Sequence, residues 1–274
     1  MTLITTLRRL VPKRLQDFTA SLIGVKALQE RLERTEARLD DLGKLQSRHR
    51  ELQIFLDNSE LLWDVSRRVW ANAGPGEGLT WGFTLTGDAF IEKAESHGLF
   101  GESKRVLEIG PGYGRLLKSL LKREVPLGSY LGVDLSEQNV THLRETFGTS
   151  NAGDEPAQRA KRIEFLQAEV ERVDLSGEPV DAVYSSLTLK HLYPTFERAL
   201  GNVAGAANRG CLLCFDLIEG TARTFGPDGT TFIRHYTRDE VANILDRLAL
   251  ELVCFDTVKH DEQHERLLVV ARKP

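Results

Sequence analysis

The stretch Val106-Leu-Glu-Ile-Gly-Pro-Gly-Tyr-Gly-Arg-Leu-Leu117 decides how the rest of the chain is read. Its first four residues have the composition of a buried strand end. The strand breaks into a turn containing Gly110, Gly112 and Gly114, and a helical pattern, Arg115–Leu121, begins directly after it. Glycines in this position remove side chains where the backbone must bend sharply and come close to a ligand. The spacing is G-x-G-x-G, whereas the dinucleotide fingerprint is G-x-G-x-x-G with a pyrophosphate on the helix N-terminus. Glu108 lies inside the strand end. A carboxylate there would repel a pyrophosphate and attract a cationic amino-acid group.

Outward from this turn the chain alternates strands and helices. Arg105–Ile109, Tyr130–Asp134, Ile163–Leu166, Ala182–Ser185 and Cys211–Leu217 read as strands, with helices over Arg115–Leu121, Glu137–Phe147 and Tyr193–Ala207. Such alternation predicts a parallel sheet covered on both faces. Upstream, Thr86 or Asp88 is placed to cap a helix over the following residues. Downstream, Thr237-Arg-Asp-Glu240 has the capping-box pattern. Two last strands, Leu250–Val258 and Leu267–Arg272, are joined by a connection too short for a crossover helix, so they pair as an antiparallel hairpin. The predicted fold is α/β: a doubly wound, seven-stranded, mostly parallel sheet with a C-terminal antiparallel hairpin, preceded by a long N-terminal helix. Ser150–Ala160 reads as a polar insertion.

The glycine turn, with its acid two residues upstream, resembles the first motif of the class I S-adenosylmethionine-dependent methyltransferases. Val133-Asp134-Leu135 closes the second strand where that family binds both ribose hydroxyls of the cofactor. Gln167-Ala-Glu-Val170 resembles the motif whose acid meets the adenine amino group, here Glu169. Val180-Asp-Ala-Val-Tyr-Ser185 and the residues after it resemble the fourth-strand motif, with Ser185–Leu187 facing the methionine end. The resemblance runs from about Thr80 to the C-terminus and implies S-adenosylmethionine as cofactor. The implied cofactor residues are Glu108, Gly110, Pro111, Gly112, Gly114, Asp134, Leu135, Ala168, Glu169 and Ser185. Trp81 and Thr86 fall where related enzymes close a lid. The glycine spacing and the terminal hairpin disfavour the alternative, a nucleotide-linked oxidoreductase. A catalytically idle scaffold module is disfavoured by the retained glycines and acids.

Methyl transfer from a sulfonium is a displacement in which the protein mainly aligns the partners and excludes water. An alcohol acceptor also needs a base. His191, just past the fourth strand, is the first candidate; His235, on a segment positioned as a substrate lid, is the second. Arg223, Arg234 and Tyr236 are placed to hold an anionic or hydroxylated acceptor. A hydroxyl of a sugar, glycan or small metabolite is the expected acceptor, by a loose likeness to bacterial glycan O-methyltransferases. No metal is expected: Cys211 and Cys214 point to opposite faces of a strand, and His260 and His264 sit on a hairpin loop.

The 274 residues suffice for one large domain and an appendage, divided here as 1–70 and 71–274. A formal net charge of -4 makes nucleic acid an unlikely partner. No apolar run approaches the roughly 20 residues of a membrane span, and three cysteines suggest a reducing, cytoplasmic setting. Leu28 to about Asn58 reads as a long helix. Val25, Leu28, Leu32, Thr35, Leu39 and Leu42 form a seam that predicts homo-oligomerisation.

Overall fold

In the computed structural model, which describes residues 33–35, 37–46, 49–50, 58–75, 85–148, 162–177, 179–225 and 231–274, the glycine turn ends the central strand β1 (Gly101–Ile109). The chain forms two compact units, Met1–Asp57 and Asn58–Pro274. In the first unit, residues 33–35, 37–46 and 49–50 are helical, and Leu39, Leu42 and Leu45 are exposed. Val25, Leu28, Leu32, Trp81 and the Ser150–Ala160 insertion lie outside the described residues.

The second unit opens with α1 (Ser59–Ala71), whose N-cap Asn58 accepts the Leu61 N–H on its side chain. It starts within the 1–70 segment expected to be helical, just past Asn58, where the long N-terminal helix was expected to end. Then follow α2 (Asp88–Ser96), β1, α3 (Arg115–Lys122), β2 (Leu127–Asp134), α4 (Glu137–Phe147), β3 (Ile163–Gln167), β4 (Val180–Ser185), a turn of 3-10 helix (Leu189–His191) and α5 (Phe196–Ala206). Next come β5 (Ala207–Glu219), β6 (Arg223–Phe225), β7 (Phe232–Tyr236), α6 (Arg238–Arg247), β8 (Glu251–Lys259) and β9 (Glu265–Arg272). The capping box of α6 forms as predicted, with Thr237 and Glu240 satisfying each other's backbone N–H groups. The N-cap of α2 is Gly87 and has no side-chain hydrogen bond, which corrects the assignment to Thr86 or Asp88.

Strands β3, β2, β1, β4 and β5 run parallel in that order. β9 pairs antiparallel with β5, and β8 with β9, so the predicted terminal hairpin is present. The expected count of seven strands is corrected to nine among the described residues. β6 and β7 form a further hairpin whose β7 continues parallel to the end of β5. These two strands are three and five residues long and carry Arg223, Arg234 and His235, so they lack the apolar run that marks a buried strand.

Alternation along β1 divides its side chains between two cores. Leu107 and Ile109 pack with Val133, Val183, Phe215 and the apolar faces of α5 and α6. Val106 points the other way, with Tyr130, Tyr184, Phe90 and Leu117. Cys211 and Cys214 fall in opposite cores, as their spacing requires. After β3 the chain returns to the far side of β1 to add β4. This reversal leaves a crevice above the carboxyl ends of β1 and β4, the place where open α/β sheets bind ligands.

Candidate active site

The crevice is floored by the glycine turn. Gly110, Gly112 and Gly114 have φ of +66°, +58° and +86°, a region that side chains other than glycine rarely adopt. At Gly110 a Cβ would run into the side chain of Thr188. At Gly112, which lines the cleft, a Cβ would meet no atom of the described residues within 4 Å. The turn is therefore a cradle kept bare on its open side. Gly114 does not line the cleft; it is the N-cap of α3 and lies against Phe147 and Leu143 of α4.

Glu108 is buried beneath the turn. Its Oε2 accepts the hydroxyls of Tyr130 from β2 at 2.7 Å and of Tyr184 from β4 at 2.8 Å. Burial pushes its carboxyl up to about 7, although both tyrosines and Arg115 favour the ionised form. Asp134, also buried, ends β2. Its Oδ2 accepts the Gly112 N–H at 2.9 Å and its Oδ1 the Ser136 N–H at 2.9 Å. Burial raises its carboxyl above the ordinary aspartate range against these donors. Two acids thus flank one glycine turn.

Of the residues expected at the cofactor, Glu108, Gly110, Pro111, Gly112, Asp134, Leu135, Ala168 and Glu169 line one cleft. Ser185 does not. It is buried, and its hydroxyl donates to the Ile109 carbonyl at 2.9 Å, tying β4 to β1; the next residue, Ser186, reaches the cleft instead. Glu169 carries an ion pair with Arg67 of α1 at 2.7 Å and another with Arg172 at 3.2 Å.

His191 lines the cleft. Its Nδ1 is 2.8 Å from the Phe232 carbonyl. A carbonyl can only accept, so Nδ1 carries the proton and Nε2 is the basic nitrogen. The ring lies 4.6 Å from that of Trp70. His235 is outside the cleft. Ile233 reaches it, but His235 lies two residues further along β7, about 6.7 Å away. There it packs over Gly220 and its N–H donates to Ala222 at 2.9 Å. The segment read as a lid is in these residues a strand of the sheet. Arg223 and Arg234 flank the ring of Tyr193 at 5.3 and 5.1 Å, and Arg234 pairs with Glu240 at 2.6 Å; Tyr193, not the arginines, lines the cleft.

Ser186 and Leu187 line the cleft, within the Ser185–Leu187 stretch expected at the methionine end. Arg67, Trp70, Arg115 and Lys190 also line it and were missed as site residues. Arg115 lies inside the quoted glycine stretch and Lys190 among the residues after the fourth strand, and that placement was the available signal. Burial pushes the Lys190 ammonium down to about 8. Arg67 and Trp70 belong to a helix with no motif. His260 and His264 turn apart, to Asp216 and Asp261, and no metal-binding cluster is found among the described residues.

Residues 107–215 match a family model described as a methyltransferase domain. The chain carries a methyltransferase domain. Three solved methyltransferases share the fold. The glycopeptide N-methyltransferase MtfA is 18% identical, with a TM-score of 0.56 over 69% of this chain and 97% of its own. Magnesium protoporphyrin IX methyltransferase (ChlM) from Synechocystis PCC 6803 is 15% identical, with a TM-score of 0.52 over 81% and 95%. An S-adenosylmethionine-dependent methyltransferase from Methanosarcina mazei is 16% identical, with a TM-score of 0.53 over 65% and 96%. No curated protein sequence matches the chain.

Proposed function

We propose that the methyltransferase domain binds S-adenosylmethionine in the cleft above β1 and transfers its methyl group to an acceptor hydroxyl of a sugar, glycan or small metabolite. The observation that carries this reading is the pair of buried carboxylates, Glu108 and Asp134, on either side of a glycine turn left bare toward the cleft. Two acids oppose a pyrophosphate and suit a ligand with hydroxyls at one end and a cationic amino acid at the other. When bound, S-adenosylmethionine supplies a methyl group already activated on a positively charged sulfur. Asp134 would accept the ribose hydroxyls with the lone pairs that Gly112, Ser136 and Asn139 leave it. Glu108 faces the ammonium group. Leu135 and Ala168 would hold the base, and Glu169, paired with Arg67, would meet its amino group. Gly114 and Ser185 act indirectly, by seating α3 and β4. His191, its Nδ1 held by the Phe232 carbonyl, would take the proton of an acceptor hydroxyl on Nε2. Isothermal titration with S-adenosylmethionine and S-adenosylhomocysteine, with NAD as control, tests the reading; heat with NAD alone would favour an oxidoreductase, and heat with none an idle scaffold.

The working domain begins at α1 in this reading, earlier than residue 71, because Arg67 and Trp70 form part of the cleft wall. The exposed Leu39, Leu42 and Leu45 support self-association of the first unit, with a second copy covering them. No described helix is long and apolar enough to cross a membrane. The three cysteines are free, which favours a cytoplasmic protein.

A further inference from the structure

Asp216 lies inside β5 with about 1% of its surface exposed. Its Oδ1 accepts the Leu187 N–H at 2.7 Å. Its Oδ2 accepts the Ser186 hydroxyl at 2.7 Å and stands 2.7 Å from Nε2 of His260. His260 follows β8 at the start of the terminal loop, and its side chain is fully buried. A carboxylate can only accept, so Nε2 carries the ring proton. Nδ1 of the same ring is buried and finds no partner among the described residues. Burial opposes the charge on Asp216, but the donors from His260, Leu187 and Ser186 prevail and hold its carboxyl below the usual aspartate range.

The carboxylate governs a turn that faces the cleft. Leu187 has φ +63°, a left-handed conformation that a leucine adopts only when its surroundings impose it. Its N–H is the group that Asp216 holds. The following Thr188 rests its hydroxyl on the Gly110 carbonyl at 3.2 Å, and its own carbonyl accepts the His191 N–H at 3.0 Å. The Ser186 hydroxyl accepts Nη2 of Arg115 at 2.9 Å. Ser186, Leu187, Thr188 and Arg115 line the cleft; His260 and Asp216 do not. An imidazole buried away from the cleft with one nitrogen unpaired is unfavourable unless its other bond is needed.

We propose that His260 is a positioning residue of the methyl-transfer site, acting through Asp216 to fix the Ser186–Thr188 turn against the glycine loop. The inference rests on the cofactor-binding reading above. The test compares wild type with His260→Ala, His260→Gln and His260→Asn, using calorimetry with S-adenosylhomocysteine and the amide resonance and hydrogen exchange of Leu187. Losing a hydrogen bond to a buried charge should weaken S-adenosylhomocysteine about tenfold in His260→Ala. The Leu187 amide should shift and exchange faster. Glutamine, whose amide nitrogen reaches as far as Nε2, should restore both to within about threefold. Asparagine, one bond shorter, should not restore them, and it supplies the loss where alanine fails to fold. Adding Ser186→Ala to His260→Ala should cost less than the sum of the single changes, because both act on one carboxylate. The proposal is overturned if the Leu187 amide and the affinity stay at wild-type values while only the melting temperature falls. A wild-type protein that binds no S-adenosylhomocysteine would sink the cofactor reading, and the Leu187 amide would still decide the link from His260.

Discussion

Replacing Glu108 by glutamine keeps the shape of the side chain and an acceptor for a tyrosine hydroxyl, but removes the charge. In the folded protein burial raises this carboxyl from 4.5 to about 7. A group whose folded value is raised stabilises the fold fully below its unfolded value, and that contribution is lost as pH rises through the folded value. At about 1.36 kcal/mol per pH unit, the interval from 4.5 to about 7 corresponds to roughly 3 kcal/mol. Relative to Glu108→Gln, the ligand-free wild type should therefore lose about 3 kcal/mol of stability between pH 4.5 and pH 8. Urea unfolding of both proteins at pH 5, 6, 7 and 8, followed by tryptophan fluorescence, measures the difference. Ligand binding gives the opposite pH response. A cationic group beside Glu108 favours the carboxylate, so affinity for S-adenosylhomocysteine should rise as pH passes through about 7. Parallel stability curves for the two proteins would refute the buried-charge argument. An affinity that falls with rising pH would refute the cationic ligand, since that is the response of an anion.

Asp134→Ala should weaken S-adenosylhomocysteine by about 1.5–3 kcal/mol in calorimetry, the size of a charged hydrogen bond. Gly110→Ala should destabilise the fold by about 1–3 kcal/mol or more, because its φ is +66° and Thr188 occupies the Cβ position; a melting curve superimposed on wild type would contradict this. Deleting residues 1–57, the first compact unit, should lower the oligomeric state in light scattering and leave S-adenosylhomocysteine binding largely intact, as every residue assigned to the cleft lies after it.

The glycine turn, the two acids beside it, the parallel strands and the terminal hairpin were legible in the sequence. Each depends on residues close together in the chain: a backbone that needs glycine, an apolar run, a capping box, a connection too short for a crossover. Alternation even placed Cys211 and Cys214 in opposite cores. The β6–β7 hairpin was hidden because short polar strands carry no periodic signal, and His235 consequently looked like part of a lid. Ser185 and Ser186 could not be told apart, since a one-residue change of phase on a strand decides which hydroxyl meets the cleft. The remaining wall of the site came from tertiary structure alone. Arg67 meets Glu169 across 102 residues of chain, and His260 meets Asp216 across 44. Such pairs are set by which helix packs over which strand end and which loop returns to the sheet, so no local pattern records them. The sequence by itself determined the cofactor-type turn and the acids that flank it. Only the fold decided which side chains close over that turn, because burial and partner charge at each position depend on segments far away in the chain.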